Sequence, residues 1–197
     1  MDIGTSAGLA LSSGINAYFP LLSFALYVHF MNPRSLNPQF AFMTQGWFIG
    51  LLIVLTLADM FADKIPIVDH IWDAIHTVIR PVAGALVALV SQSHTTGIEV
   101  PLLLVGGAVL AGMTHTTKAT VRVASTTCTA GFLNIFLSIG EDVLMVIGSL
   151  LSLFAPYVML VVVILAVIVF LLSLRRIIKI FNRRKQRRAS VQAPLKI

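Results

Sequence analysis

Apolar positions run along this chain in long blocks rather than in the strict alternation of a half-buried strand, and they recur from Ile3 to Leu174. A helix needs about 20 apolar residues to cross a bilayer core. Residues 155–174 meet that length, interrupted by Tyr157 and Ser173 and stopped by Arg175 and Arg176, so they predict a span. Residues 3–30 are long enough to cross but carry Gly4, Gly8, Gly14, Asn16 and Pro20, which predicts a broken helix. A further span is expected over 47–61, beginning after Gly46 and entering polar sequence at Asp59 and Asp63. The blocks at 82–90 and 100–113 are short, and read as parts of tilted helices or as re-entrant half-helices buried in protein. Residues 124–154 are apolar on both sides of Glu141-Asp142, with Gly131, Gly140 and Gly148 spaced through them, so one straight helix is not expected there. The pattern predicts about five to seven membrane segments.

The expected fold class is therefore all-α: a polytopic transmembrane bundle with broken or re-entrant helices. Residues 14–22, with Asn16, and 131–137, with Asn134, are similar Gly- and Asn-bearing apolar segments, so an inverted repeat is one expectation. The alternative is likeness by composition alone.

Composition agrees with a membrane domain, because 57% of residues are hydrophobic and 11% charged, whereas soluble domains carry about 25% charged residues. No polar interval is long enough to fold by itself. The net charge of +6 is unevenly placed: nine of the fourteen bases lie beyond Leu174, which leaves five bases against eight acids in the body. This divides the chain into a transmembrane helical domain, 1–174, and a basic tail, 175–197. Bases that follow a long apolar helix mark the cytoplasmic side and meet anionic lipid head groups, so the tail is expected to be cytoplasmic, with lipid rather than nucleic acid as its partner. A homo-oligomer is left open. Cys128 is the single cysteine, which excludes an intramolecular disulfide and a thiolate metal cage.

Charges inside apolar sequence cost about 2.5–3.5 kcal/mol each at a helix centre, so they persist mainly where they face a cavity or each other. Three clusters stand out. The first contains Asp59, Asp63 and Lys64, followed by Asp69, Asp73, His76 and Arg80. At 100° per residue the last four fall at about 0°, 40°, −20° and 20°, one narrow stripe between Pro66, which suits a first turn, and Pro81, which is expected to end or kink the helix. Such a stripe either lines a polar cavity or faces water from an interfacial helix. The second cluster is His115, Lys118 and Arg122, again one-faced, at about 0°, −60° and −20°, among eight Ser and Thr residues. These bases are either a binding face for an anionic group or anchors between two spans. The third is Glu141-Asp142, where a tight turn at Gly140 exposing both carboxylates competes with a buried acidic pair. Adjacent buried carboxylates repel when both are ionised, so this pair is the expected carrier of a coupling proton.

No Glu-x-x-His or His-Glu-x-x-His element supports a metal, and no Gly-x-Ser-x-Gly elbow or phosphate-cradling loop supports an enzyme. No cofactor is expected. Four stretches, GLALSSGINAYFPLL, ADKIPIVDHIWDAIHTVIRPVAGAL, THTTKATVRVASTT and SIGED, resemble the bacterial membrane family known as domain of unknown function 4126. The resemblance implies a multi-pass protein of the bacterial inner membrane and sets Asn16, Asp63, Lys64, Pro66, Asp69, Asp73, Arg80, Pro81, His115, Lys118, Arg122, Glu141 and Asp142 inside the shared motifs. It implies no activity. The residues themselves point to a small transporter or flippase-like carrier of an anionic or amphipathic substrate, coupled to protons. Asn16, Asp69, Asp73, His76, Arg80, His115, Lys118, Arg122 and Asn134 are its candidate binding residues, and Glu141 and Asp142 its candidate proton carriers. The alternative is a scaffold or assembly factor whose charges are structural pairs.

Overall fold

The computed structural model describes residues 2–33, 36, 38–92, 97–129 and 132–192, with backbone alone at 66–70 and 180–192. Among these residues every regular element is helical: α1 (Ile3–Ser13), α2 (Phe19–Phe30), a 3₁₀ segment (Pro38–Thr44), α3 (Gly46–Ala62), α4 (Pro66–Val90), α5 (Glu99–Thr129), α6 (Phe132–Phe154) and α7 (Pro156–Gln192). Four stretches are long and apolar enough to cross a membrane, namely Ile71–Val90, Glu99–Thr129, Phe132–Phe154 and Pro156–Lys179. The 3₁₀ segment and α3, bent by 64°, make a fifth if taken as one broken span. The protein is thus a multi-pass membrane protein. Residues up to Val163 form one compact unit, and those from Ile164 onward a second. Over Ile164–Lys179 the second unit is apolar helix leading into Arg175, Arg176 and Lys179.

The expected break in the first apolar block falls between α1 and α2. Ser13 Oγ donates to the Leu9 carbonyl at 3.0 Å, α1 ends at Gly14, and Asn16 Oδ1 accepts the Tyr18 and Phe19 amides at 3.0 and 2.9 Å. Asn16 therefore satisfies two of the amides that the start of a helix leaves open, while Pro20, in the first turn, removes one that has no intrahelical partner. Neither piece can cross alone, since 11 and 12 residues reach about 17 and 18 Å against a hydrocarbon core of about 30 Å.

The first piece lies inside the bundle, packed on α4, α5 and α6. Its small residues allow this. A Cβ on Gly4 would strike the Pro156 backbone, and one on Gly8 would strike Ser152 and Met159. The same logic brings α4 against α5, where Gly84 and Ala88 meet Gly107 and Ala111 so closely that a Cβ on either glycine has no room.

Several expectations change. Pro81 neither ends nor interrupts α4, which continues to Val90. It removes one backbone bond, to the carbonyl four residues earlier, from a helix packed against both α1 and α5. The block at 100–113 is no half-helix but part of the 31-residue α5. Gly140 makes no turn, and Glu141 and Asp142 lie within α6. Asn134 stands in the first turn of that continuous helix, unlike Asn16 at a break between two helices.

The contrast between neighbouring glycines of α5 gives a test. Gly107→Val should destabilise the detergent-solubilised protein by about 1–3 kcal/mol through overpacking against α4. Gly106→Val, where an added Cβ meets nothing within 4 Å, should leave the thermal midpoint nearly unchanged.

Candidate functional site

The polar stripe of α4 turns inward. His76 and Arg80 are 1% and 0% exposed, which removes the interfacial-helix reading, and Asp73 keeps a side-chain exposure of 17%. The side chain of Asp69 lies outside the described residues. The basic face of α5 is buried as well, with His115, Lys118 and Arg122 at 5%, 5% and 3% exposed, so these bases are not anchors in an aqueous loop. Opposite them stand Asp59 at the end of α3, Asp63 in the α3–α4 turn, and Glu141 on α6.

The groups pair across helices. Lys118 donates to Asp63 Oδ2 in a short contact, and lies 3.4 Å from Glu141 Oε2. Arg122 Nη2 reaches Glu141 at 2.6 Å and Asp63 at 3.4 Å, with Nη1 3.9 Å from Asp73. Arg80 lies 3.2 Å from Asp73, 3.5 Å from Asp59 and 3.7 Å from Asp63. At the edge Lys64 holds Asp142 at 2.6 Å. The acidic pair is thus divided between cations: successive residues of a helix point about 100° apart, so Glu141 turns to Arg122 and Asp142 to Lys64. The expected mutual repulsion is replaced by two separate ion pairs.

Hydrogen bonding fixes the state of His115. Arg80 Nη1 is always a donor, so His115 Nδ1, at 2.8 Å, must accept. Thr77 spends its hydroxyl hydrogen on the Asp73 carbonyl, so His115 Nε2–H donates to Thr77 Oγ1 at 3.2 Å. His115 is therefore neutral, with both ring nitrogens hydrogen-bonded inside the network.

The broken helix joins this network through backbone. Lys118 Nζ donates to the Ile15 carbonyl at 3.2 Å, in the segment between α1 and α2. Asn16 contributes by capping α2, while Asn134 donates to Thr126 Oγ1 at 2.9 Å near the α5–α6 connection. Asp59 was visible in the sequence as a charge late in an apolar helix, but nothing local indicated its direction. It is fully buried and accepts from Trp72 Nε1 at 2.7 Å.

A family model for a domain of unknown function, DUF4126, matches residues 3–176. The chain belongs to this family. No curated protein and no solved structure matches it. Nearly all of the compact unit and the whole charge network of this DUF4126 protein fall within the matched residues.

Asp63 is the hub, facing three cations. Burial by itself raises its carboxyl, but Lys118, Arg122 and Arg80 outweigh that and hold it below the usual carboxylate range. A lowered folded-state value means that its stabilising effect is present above the unfolded value, about pH 4, and is lost as pH falls through the folded one. Asp63→Asn should therefore cost about 3–5 kcal/mol at neutral pH by leaving buried cations uncompensated, with partial recovery in Asp63→Asn/Lys118→Met. Melting curves across a pH series should show the gap between wild type and Asp63→Asn narrowing below about pH 4.

Proposed function

We propose that this protein is a proton-coupled membrane carrier for an anionic or amphipathic substrate, in which Lys118 and Arg122 receive the substrate's anionic group in exchange for the Glu141 carboxylate. The observation that carries the reading is the Arg122–Glu141 pair, 2.6 Å apart across α5 and α6, joined through Lys118 to the broken backbone at Ile15. Interrupted helices beside buried charge are the usual construction of substrate sites in secondary transporters. A buried ion pair contributes little net stability compared with apolar packing, so a network of them is better suited to exchange of partners than to holding helices together. Arg122 offers a planar fork that fits a phosphate or carboxylate, and Ser125 and Ser138 carry side-chain oxygens without a hydrogen-bond partner one turn from Arg122 and Glu141 respectively. No catalytic step belongs to this reading. The basic tail lies on the cytoplasmic side of a bacterial inner membrane, against anionic lipid head groups.

A scaffold role is the second reading, favoured by the internal pairing of Lys64, Arg80, Lys118 and Arg122. Proteoliposomes separate the two. With a fluorescent anionic phospholipid as probe and a zwitterionic one as reference, wild-type protein should move the anionic lipid between leaflets faster under a pH gradient. Arg122→Lys should reduce that rate by about 10-fold or more, the loss of one charge-assisted bidentate contact. Glu141→Gln should flatten the response to pH. Equal rates in protein-free vesicles and wild type, with the variants altering thermal stability alone, would establish the scaffold.

A further inference from the structure

His76 and Asp59 confront each other with two hydrogen-bond acceptors. His76 Nδ1 lies 2.9 Å from the Trp72 carbonyl, which can only accept, so Nδ1 carries the hydrogen. In a neutral ring that leaves a lone pair on Nε2, 3.5 Å from Asp59 Oδ1, and Nε2 has no hydrogen-bond partner. Asp59 Oδ2 and Thr56 Oγ1, one turn earlier on α3, are also buried without partners. Both ring and carboxylate are essentially inaccessible to solvent.

Charge balance points to the same place. Among the described side chains the network sets Asp59, Asp63, Asp73, Glu141 and Asp142 against Lys64, Arg80, Lys118 and Arg122, an excess of one negative charge. Asp63, Asp73, Glu141 and Asp142 each have a cation within 3.2 Å, whereas the nearest to Asp59 is Arg80 at 3.5 Å. Around the pair stand Tyr18 from the α1–α2 connection, Asp63 from the α3–α4 turn, Trp72, Asp73 and Arg80 on α4, and His115 and Lys118 on α5. Glu141 of α6 reaches this group through Arg122.

We propose that Asp59 and His76 together form a proton-binding site, which takes one proton from water and holds it between Asp59 Oδ1 and His76 Nε2. One proton turns the opposed acceptors into a hydrogen bond and neutralises the excess charge counted among the described side chains, and no bond between heavy atoms changes. Its use in coupling rests on the carrier reading, but proton binding itself is independent of any substrate.

Trp72 is a built-in reporter, with its indole nitrogen on Asp59 and its ring 4.9 Å from that of His76. The chain has two tryptophans, and Trp47 is exposed, so Trp47→Phe leaves Trp72 as the sole source of indole emission. In detergent without substrate, Trp72 emission should follow a single one-proton transition across a pH series. Asp59→Asn and His76→Gln, each in the Trp47→Phe background, should abolish it, while Glu99→Gln, at an exposed carboxylate at the start of α5, should retain it. Flat emission in the Trp47→Phe protein overturns the proposal, as does an unchanged transition in both pair variants. Should either variant fail to fold, the ¹⁵N resonances of His76 in the Trp47→Phe protein decide: Nε2 must titrate with the same midpoint while Nδ1 stays protonated, and an Nε2 signal constant across the range refutes the site. A titrating Trp72 without lipid movement removes the carrier and keeps the proton site. pH-dependent lipid movement with flat Trp72 emission does the reverse.

Discussion

Asp63 and the three cations around it impose the constraint from which the rest of the arrangement follows. A carboxylate 6% exposed in a membrane protein is tolerable only if positive groups reach it, and Lys118, Arg122 and Arg80 come from two different helices to do so. That requirement draws the end of α3 toward α4 and α5. It also explains why α4 and α5 approach through Gly84 and Gly107: long cationic side chains can share one carboxylate only if their backbones are close and in register. Glycine contact and ion pairing are thus two parts of one interface.

The buried first helix meets the same constraint from another side. Its gap at Gly14–Tyr18 leaves backbone carbonyls that no helix satisfies, and Lys118 uses one of them, at Ile15, as a further partner. The break and the charge network each supply what the other lacks. A continuous helix there would remove the carbonyl from reach, and a neutral residue at 118 would leave it without this donor.

Much of this was legible in the sequence wherever the information was local. The Gly14-Asn16-Pro20 break follows from capping and from proline's missing amide, and the common face of Asp73, His76 and Arg80 follows from helical arithmetic. Pro81 does not end α4, because its local cost is set against the packing of α4 on two neighbours, which no local pattern contains. The division of Glu141 from Asp142 could have been foreseen, since adjacent residues of a helix never share a direction, once the segment was taken as helical. Asp59 was different. Which way a lone carboxylate near the end of α3 points depends on where α4 places Trp72, His76 and Arg80, and no periodicity within either helix contains that information.

The connectivity of the charges links the two ends of the network. Asp59 shares Arg80 with Asp63 and Asp73, and those two acids share Arg122 with Glu141. With a proton between Asp59 and His76, the attraction of Asp59 for Arg80 falls, and Arg80 is drawn more strongly to Asp63 and Asp73. Those carboxylates then hold Arg122 and Lys118 less tightly, which leaves the two bases with more positive potential for an incoming anion. The same sequence runs backward, because an anion that neutralises Arg122 returns Asp63 and Asp73 to Arg80 and loosens the hold of Arg80 on Asp59, raising the affinity there for a proton. Proton and anion, on the carrier reading, each favour the other's binding, the reciprocity that linkage requires of two ligands acting on one network. On the carrier reading, coupling therefore needs no large motion to originate it: the shared carboxylates transmit it through groups already within 4 Å of one another.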